Sequence, residues 1–247
     1  MQPAPPFKLQ RCEACSGIFL SPRPRSDDMA SVYSDYYAGS REKSPRQEVR
    51  AKKHLRRLMR ILPTPGHVLE IGAGDGYFLA AARDAGWKVS GLELSQPRVE
   101  QARAWFGLEL EAKDLQQAAY APGSFDAVVM FQLIEHVHDP CSILRHAHEL
   151  LRPGGVLIMS TPNVLTYARK QRGVETWMIP HHLFFFSPLS LINVVDKSGF
   201  RVIRRSLLMQ AQLEKRLKWQ PWSALPLTGA LRNLLTPFAL RMVARKR

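Results

Sequence analysis

The chain has 247 residues, of which 45% are apolar by type, enough for one sizeable buried core or at most two small ones. No run of about 18 apolar residues occurs, and residues 1–6 lack the basic-then-apolar layout of a secretion signal, which excludes a helical membrane span and makes the cytoplasm the expected compartment. Three cysteines exclude a disulfide framework, and the net charge of +14 places basic flanks around an acidic centre: 13 Lys/Arg against 6 Asp/Glu over residues 1–62, 7 against 12 over 63–163, and 15 against 3 over 164–247.

Residues 1–60 read as an N-terminal extension with one Cys-x-x-Cys pair, Cys12 and Cys15, and a basic helix. A structural zinc needs four ligands, normally two such pairs, so no bound metal is expected. From residue 61 short apolar runs alternate with helical patterns. Residues 68–71 form a buried strand, and an alanine-rich helix follows over 77–85, closed by Gly86. A second strand covers 88–94, with Ser95 placed to cap a helix reaching about residue 106. Residues 108–112 read as a short third strand, 125–131 as a fourth, 141–151 as a helix and 156–161 as a fifth strand. Beyond a polar and aromatic insertion at 162–187 come a helix over 188–198, a strand at 200–203, a tryptophan- and leucine-rich insertion at 211–238, and a terminal segment at 240–244 that suits a strand or a helix end. Near-continuous apolar strands in βαβ rhythm argue for an α/β fold with a mostly parallel sheet covered by helices on both faces.

The loop after the first strand carries glycines at 72, 74 and 76. A dinucleotide loop wants a further glycine where Tyr77 stands, and the Gly-Lys-Ser/Thr of a P-loop is missing. Instead carboxylates surround the loop: Glu70 before it, Glu93 at the end of the second strand and Asp114 after the third. That set suits a cofactor with a ribose and an ammonium group but no phosphate, which S-adenosylmethionine is.

The motifs Glu70-Ile-Gly-Ala-Gly-Asp-Gly76, Gly91-Leu-Glu-Leu-Ser95, Asp114-Leu115, Ser124-Phe-Asp-Ala-Val128, Leu133-Ile-Glu-His-Val137 and Leu151-Arg-Pro-Gly-Gly-Val156 stand in order. With them the chain resembles the class I S-adenosylmethionine-dependent methyltransferases, in particular the group that includes the ubiquinone-biosynthesis O-methyltransferases. The resemblance implies a Rossmann-like sheet of seven strands. It also implies that Glu70, Gly72, Ala73, Gly74 and Gly76 surround the methionine and ribose portions, Glu93 holds the ribose hydroxyls, Leu94 and Leu115 flank the adenine beside Asp114, and Phe131 and Gln132 line the methionine end. The segment around Cys12 and Cys15 resembles the latter half of a zinc ribbon that precedes some members of this family.

Methyl transfer to a hydroxyl needs alignment, exclusion of water and a base. His136, oriented by Glu135, is the first candidate, and the resemblance puts this pair at the active site; His181 and His182 in the insertion are the second, with at most one of them facing the pocket. The bland readings are that Glu135 and His136 only shape the pocket and that the other histidines are satisfied loop residues. The expected activity is methylation, at oxygen, of a small-molecule or lipid-linked acceptor. The alternatives are a non-catalytic S-adenosylmethionine-binding protein and methylation of RNA or protein. An Asn/Asp-Pro-Pro-Tyr/Phe motif is missing, which argues against nucleic acid as partner. The basic, tryptophan-bearing segment 211–238 suits contact with a membrane surface, a dimer interface or a cover over the site.

Overall fold

The computed structural model describes residues 7–13, 16–25, 28, 42–165, 180–216 and 239–247. In chain order these form strands β1 (Lys8–Arg11) and β2 (Ile18–Ser21), helix α1 (Pro45–Ile61), β3 (His67–Ile71), α2 (Tyr77–Asp84), β4 (Lys88–Leu92), α3 (Gln96–Phe106), β5 (Phe125–Phe131), α4 (Pro140–Leu150), β6 (Leu151–Pro162), β7 (Phe184–Phe185), α5 (Pro188–Lys197), β8 (Phe200–Val202), α6 (Arg205–Arg216) and β9 (Ala239–Lys246).

Six strands make the central sheet in the order β4-β3-β5-β6-β9-β8. The pairs among β4, β3, β5 and β6 are parallel, and β9 runs antiparallel to both of its neighbours. Successive residues point to opposite faces of a strand, and here both faces are covered. Val68, Ala127, Val129, Ile158 and Val243 join the cluster beneath α1, α2 and α3, while Leu69, Val128, Met130, Leu157 and Met242 join the one beneath α4 and α5. This is why the strands read as unbroken apolar runs.

Local signals fix the helix boundaries. Ser95 accepts from the Arg98 N–H at the start of α3, and Gly107, at φ +62°, ends it. Asp139 Oδ1 accepts from the Ser142 N–H at 2.9 Å to open α4, with Pro140 in the first turn. Ala51, His54, Leu55 and Leu58 are the buried face of α1, which packs against α2. The helix that the sequence reading assigned to the N-terminal extension is thus part of the main core.

The expected third strand needs correction, because residues 108–112 contribute a single parallel bridge, Leu92 to Glu111. Leu108 and Leu110 are buried by side-chain packing instead, Leu108 over Gly76 and Leu110 over Gly91, where a Cβ would stand 2.7 and 2.6 Å from their methyl groups. Alternating burial therefore arises without a strand ladder. The segment at 240–244 is a strand, and 211–216 completes α6. The remainder of the 211–238 insertion, residues 166–179 of the first insertion, and Cys15 lie outside the described residues. No helix among the described residues is long and apolar enough to cross a membrane.

A second, antiparallel sheet joins β1, β2 and β7. Leu20 is buried at its centre and donates its N–H to the Leu183 carbonyl at 3.0 Å. Arg23 extends the contact, donating from Nη1 to the His138 carbonyl at 2.8 Å and lying over the Phe184 ring.

Candidate functional site

The parallel strands β3, β4 and β5 end side by side, the place where open α/β sheets bind ligands. A cavity of about 550 Å³ opens there. Its walls include Glu70, Gly72, Ala73, Gly74, Glu93, Leu94, Asp114, Leu115, Phe131, Gln132 and His136, so eleven residues singled out from sequence meet in one place.

The loop after β3 turns sharply. Gly72 has φ +73°, and a Cβ there would stand 3.0 Å from Leu133, so the backbone forms the wall that a side chain would fill. The Gly74 N–H donates to Glu93 Oε2 at 2.8 Å while the Ser95 N–H donates to Oε1 at 2.9 Å, which locks the carboxylate at the end of β4. Each oxygen keeps a further lone pair for a ligand hydroxyl. Glu70 is buried, its Oε2 has no hydrogen-bond partner among the described residues, and burial together with Glu93 raises its pKa well above the ordinary carboxyl value. Leu94 is 59% exposed at the rim, whereas Leu115 is buried, so the two form an apolar slot that is open on one side.

Gly76 stands apart from the other glycines of the loop. It does not line the cavity; at φ +82° it begins α2, and its missing side chain makes room for Leu108 and Ala102.

At the far end, β5 runs into Gln132, at φ +55°, and then into the turn that carries Glu135 and His136. Glu135 is 1% exposed beneath the wall, with neither carboxylate oxygen hydrogen-bonded among the described residues. Burial pushes its pKa up to about 8. His136 lies on the wall with Nδ1 at 2.9 Å from the His181 carbonyl oxygen and Nε2 at 3.9 Å from Glu135 Oε1. The carbonyl can only accept, so Nδ1 carries the proton and Nε2 is the basic nitrogen. Burial lowers the pKa of His136 to about 4 and keeps the ring neutral. His182 is buried and meets His136 edge-on at 4.8 Å between ring centroids. The two insertion histidines therefore divide their roles: His182 enters the cluster with its side chain, and His181 serves through its backbone carbonyl. Ligand atoms of Glu135, His136 and His182 all lie within 4.8 Å of one another, a grouping that could hold a metal ion and that the sequence reading missed because 45 residues separate its halves.

Residues 44–205 match the family model for the methyltransferase domain, which is more than half of the chain. The chain belongs to this family. Among relatives of this methyltransferase, a probable S-adenosylmethionine-dependent methyltransferase of Mycolicibacterium smegmatis is 32% identical over 136 residues, 55% of this chain and 52% of that one. The ubiquinone biosynthesis O-methyltransferase of Xanthomonas campestris pv. campestris is 37% identical over 106 residues, 40% of this chain and 44% of that one. The match thus spans about half the length of these relatives. Among solved structures, the 1,6-didemethyltoxoflavin-N1-methyltransferase of Burkholderia thailandensis, crystallised with S-adenosylhomocysteine, superposes with a TM-score of 0.61 at 18% identity, covering 97% of this chain and 99% of that one. An S-adenosylmethionine-dependent methyltransferase from Mesorhizobium loti gives 0.58 at 22% identity, covering 77% and 96%. Both show that the methyltransferase has the class I Rossmann-like fold.

S-adenosylmethionine is the cofactor of this family, and the cavity fits it. The ammonium group would supply the partner that Glu70 lacks, the ribose hydroxyls would reach the remaining lone pairs of Glu93, and the adenine would fill the slot between Leu94 and Leu115 beside Asp114.

Several wall residues were missed from sequence. Gln47, Arg50, Ala51 and His54 come from α1, and Tyr77 and Arg98 from α2 and α3. His54 lies 3.8 Å from Phe131 between ring centroids, and Phe78 meets the same ring edge-on, which docks α1 over the end of β5. Tyr77 Oη accepts from the Ser44 N–H at 2.6 Å and ties the start of α1 to the cofactor loop. The 3–4 spacing of Ala51, Leu55 and Leu58 signals a buried face, but seven Lys and Arg residues in the same helix hide it.

Proposed function

We propose that this methyltransferase methylates an oxygen of a small-molecule or lipid-linked acceptor, with His136 as the base. The observation that carries the reading is the bond from His136 Nδ1 to the His181 carbonyl, which presents a neutral imidazole with a basic Nε2 at the wall of the cofactor cavity. Bound S-adenosylmethionine supplies a methyl group already activated by its sulfonium. The chain's own part is to align the acceptor, exclude water and take its proton. Helix α1 closes the cavity over the acceptor end through His54 and Arg50, and the sheet of β1, β2 and β7 buttresses the wall that holds His136. The O-methyltransferase name of the Xanthomonas relative supports the choice of oxygen.

The grouping of Glu135, His136 and His182 favours a second reading, in which a divalent cation at these three side chains orients and acidifies the acceptor hydroxyl. Methyl transfer from labelled cofactor into fractionated cell extract tests both. Label in an ether or ester of the lipid or small-molecule fraction supports oxygen transfer, and label confined to protein or RNA overturns it. Turnover that disappears with a chelator and returns with added cation selects the second reading.

A further inference from the structure

Three arginines from separate elements converge on the α1 side of the sheet, outside the cavity. Arg57 lies on α1, one turn beyond His54. Arg204 directly follows Ile203, whose N–H donates to the Val243 carbonyl at 2.9 Å and holds the end of β8 against β9. Arg241 projects from β9 on the same side as Val243, two residues on, and Val243 belongs to the apolar cluster beneath α1. Arg57 and Arg204 are half-buried and Arg241 is exposed, so the cations form an open-sided basin.

None of the three side chains makes a hydrogen bond or ion pair among the described residues. Elsewhere in the fold arginines find carboxylates, as Arg103 does with Glu109, Arg152 with Asp126 and Arg247 with Asp196. Here the charges that act on Arg57 and Arg204 are those of other arginines. Burial and repulsion by Arg241 and Arg204 lower the pKa of Arg57 to about 10, and burial and Arg241 lower that of Arg204. Like charges gathered on rigid elements without a counter-charge are unfavourable unless an anion neutralises them, and guanidinium forks match phosphate oxygens in pairs. Three cations suit a doubly or triply charged phosphate better than a single carboxylate.

We propose that Arg57, Arg204 and Arg241 form a phosphate-binding site one helical turn outside the cavity, which takes the phosphoryl group of an elongated acceptor or of an anionic lipid. Position supports the link to the acceptor: Arg50 and His54 of α1 line the cavity, and Arg57 continues the same helix face about 5 Å beyond His54. The phosphate site stands on the arginines alone; its use by the acceptor rests on the proposed function.

Calorimetric titration of the full chain with inorganic pyrophosphate at low salt tests the site, with Arg57→Gln, Arg204→Gln and Arg241→Gln as variants. Wild type is expected to bind, each variant to bind at least about tenfold more weakly, and S-adenosylhomocysteine affinity to stay within about twofold. Removal of one like charge relieves repulsion, so each variant is expected to melt no lower than wild type when no anion is present. A variant that loses S-adenosylhomocysteine binding has lost its fold, and the exposed Arg241→Gln then carries the test. Flotation with phosphatidylglycerol vesicles, run in parallel, separates the sources: variant-sensitive flotation without pyrophosphate binding assigns the lipid phosphate, and variant-sensitive pyrophosphate binding assigns a soluble phosphoryl group. Binding of both probes that is insensitive to all three substitutions, or absent in wild type, overturns the proposal. Failure of methyl transfer with intact pyrophosphate binding would count against the proposed function alone.

Discussion

His136 Nδ1 lies 2.9 Å from the carbonyl oxygen of His181, a contact across 45 residues that sets which ring nitrogen is basic. If that nitrogen accepts the acceptor's proton, His136→Ala removes a base without touching the cofactor loop. Turnover should fall by about 10²–10⁴-fold, with S-adenosylhomocysteine affinity unchanged. Comparison of single-turnover rates with calorimetric affinity checks this, and equal rates would remove His136 from the mechanism.

Glu135 makes stability fall toward alkaline pH. Its pKa is raised from 4.5 to about 8 in the fold, so its contribution is fully present below about pH 4.5 and is lost as pH rises through 8. His54 and His136, lowered from 6.5 to about 3 and 4, act in the opposite sense: their contribution is present above about 6.5 and is lost as pH falls toward those values. Between about pH 6.5 and 8 the buried carboxyl groups dominate. Glu135 alone then costs about 2 kcal/mol, or roughly 4–8 °C in Tm. Thermal melts across this range should show the loss in wild type and a shallower slope in Glu135→Gln.

Glu70 couples cofactor binding to proton release. Burial and Glu93 raise the pKa of its carboxyl in the free protein, whereas an ammonium partner favours the ionised form. Affinity for S-adenosylhomocysteine should therefore rise with pH below the titration of the ligand's own amine. Calorimetry in two buffers of different ionisation enthalpy measures the proton directly. In Glu70→Gln the release should vanish and affinity should drop about tenfold.

Leu20 tests the support beneath the wall that carries His136. Its side chain is buried and its N–H holds the Leu183 carbonyl, one residue past His182. Leu20→Ala should destabilise by about 2–5 kcal/mol and reduce turnover more than cofactor affinity, since Leu183 and Phe184 donate to the Glu135 carbonyl beside His136. Equal losses in both would mean that the small sheet acts only through global stability.

Much of the fold was legible because both faces of the central strands are buried, which leaves long apolar runs such as 125–131 in the sequence. The end of the cavity lined by Glu70, Gly72, Gly74 and Glu93 was legible for a local reason: each lies at or just beyond the end of a strand. Spacing cannot tell a glycine that admits a ligand from one that admits Leu108, as Gly76 does. Leu108 and Leu110 mimicked a strand because packing over Gly76 and Gly91 also buries alternate residues. The His136 end of the cavity was least legible, since it is assembled from distant segments: α1, the Glu135–His136 turn and residues 181–185.

The place of β9 in the sheet sets an order of assembly. It stands between β6 and β8, and β8 pairs with no other strand of the central sheet. While the chain is being made, residues 200–202 are synthesised well before their pairing strand, residues 239–246, exists. The cofactor half, with β3, β4 and β5 already adjacent, can form early from nearer partners, whereas the edge bearing Arg204 and Arg241 is completed only when β9 inserts. A ribosome-stalled chain ending before residue 239 should then bind cofactor without presenting the arginine basin.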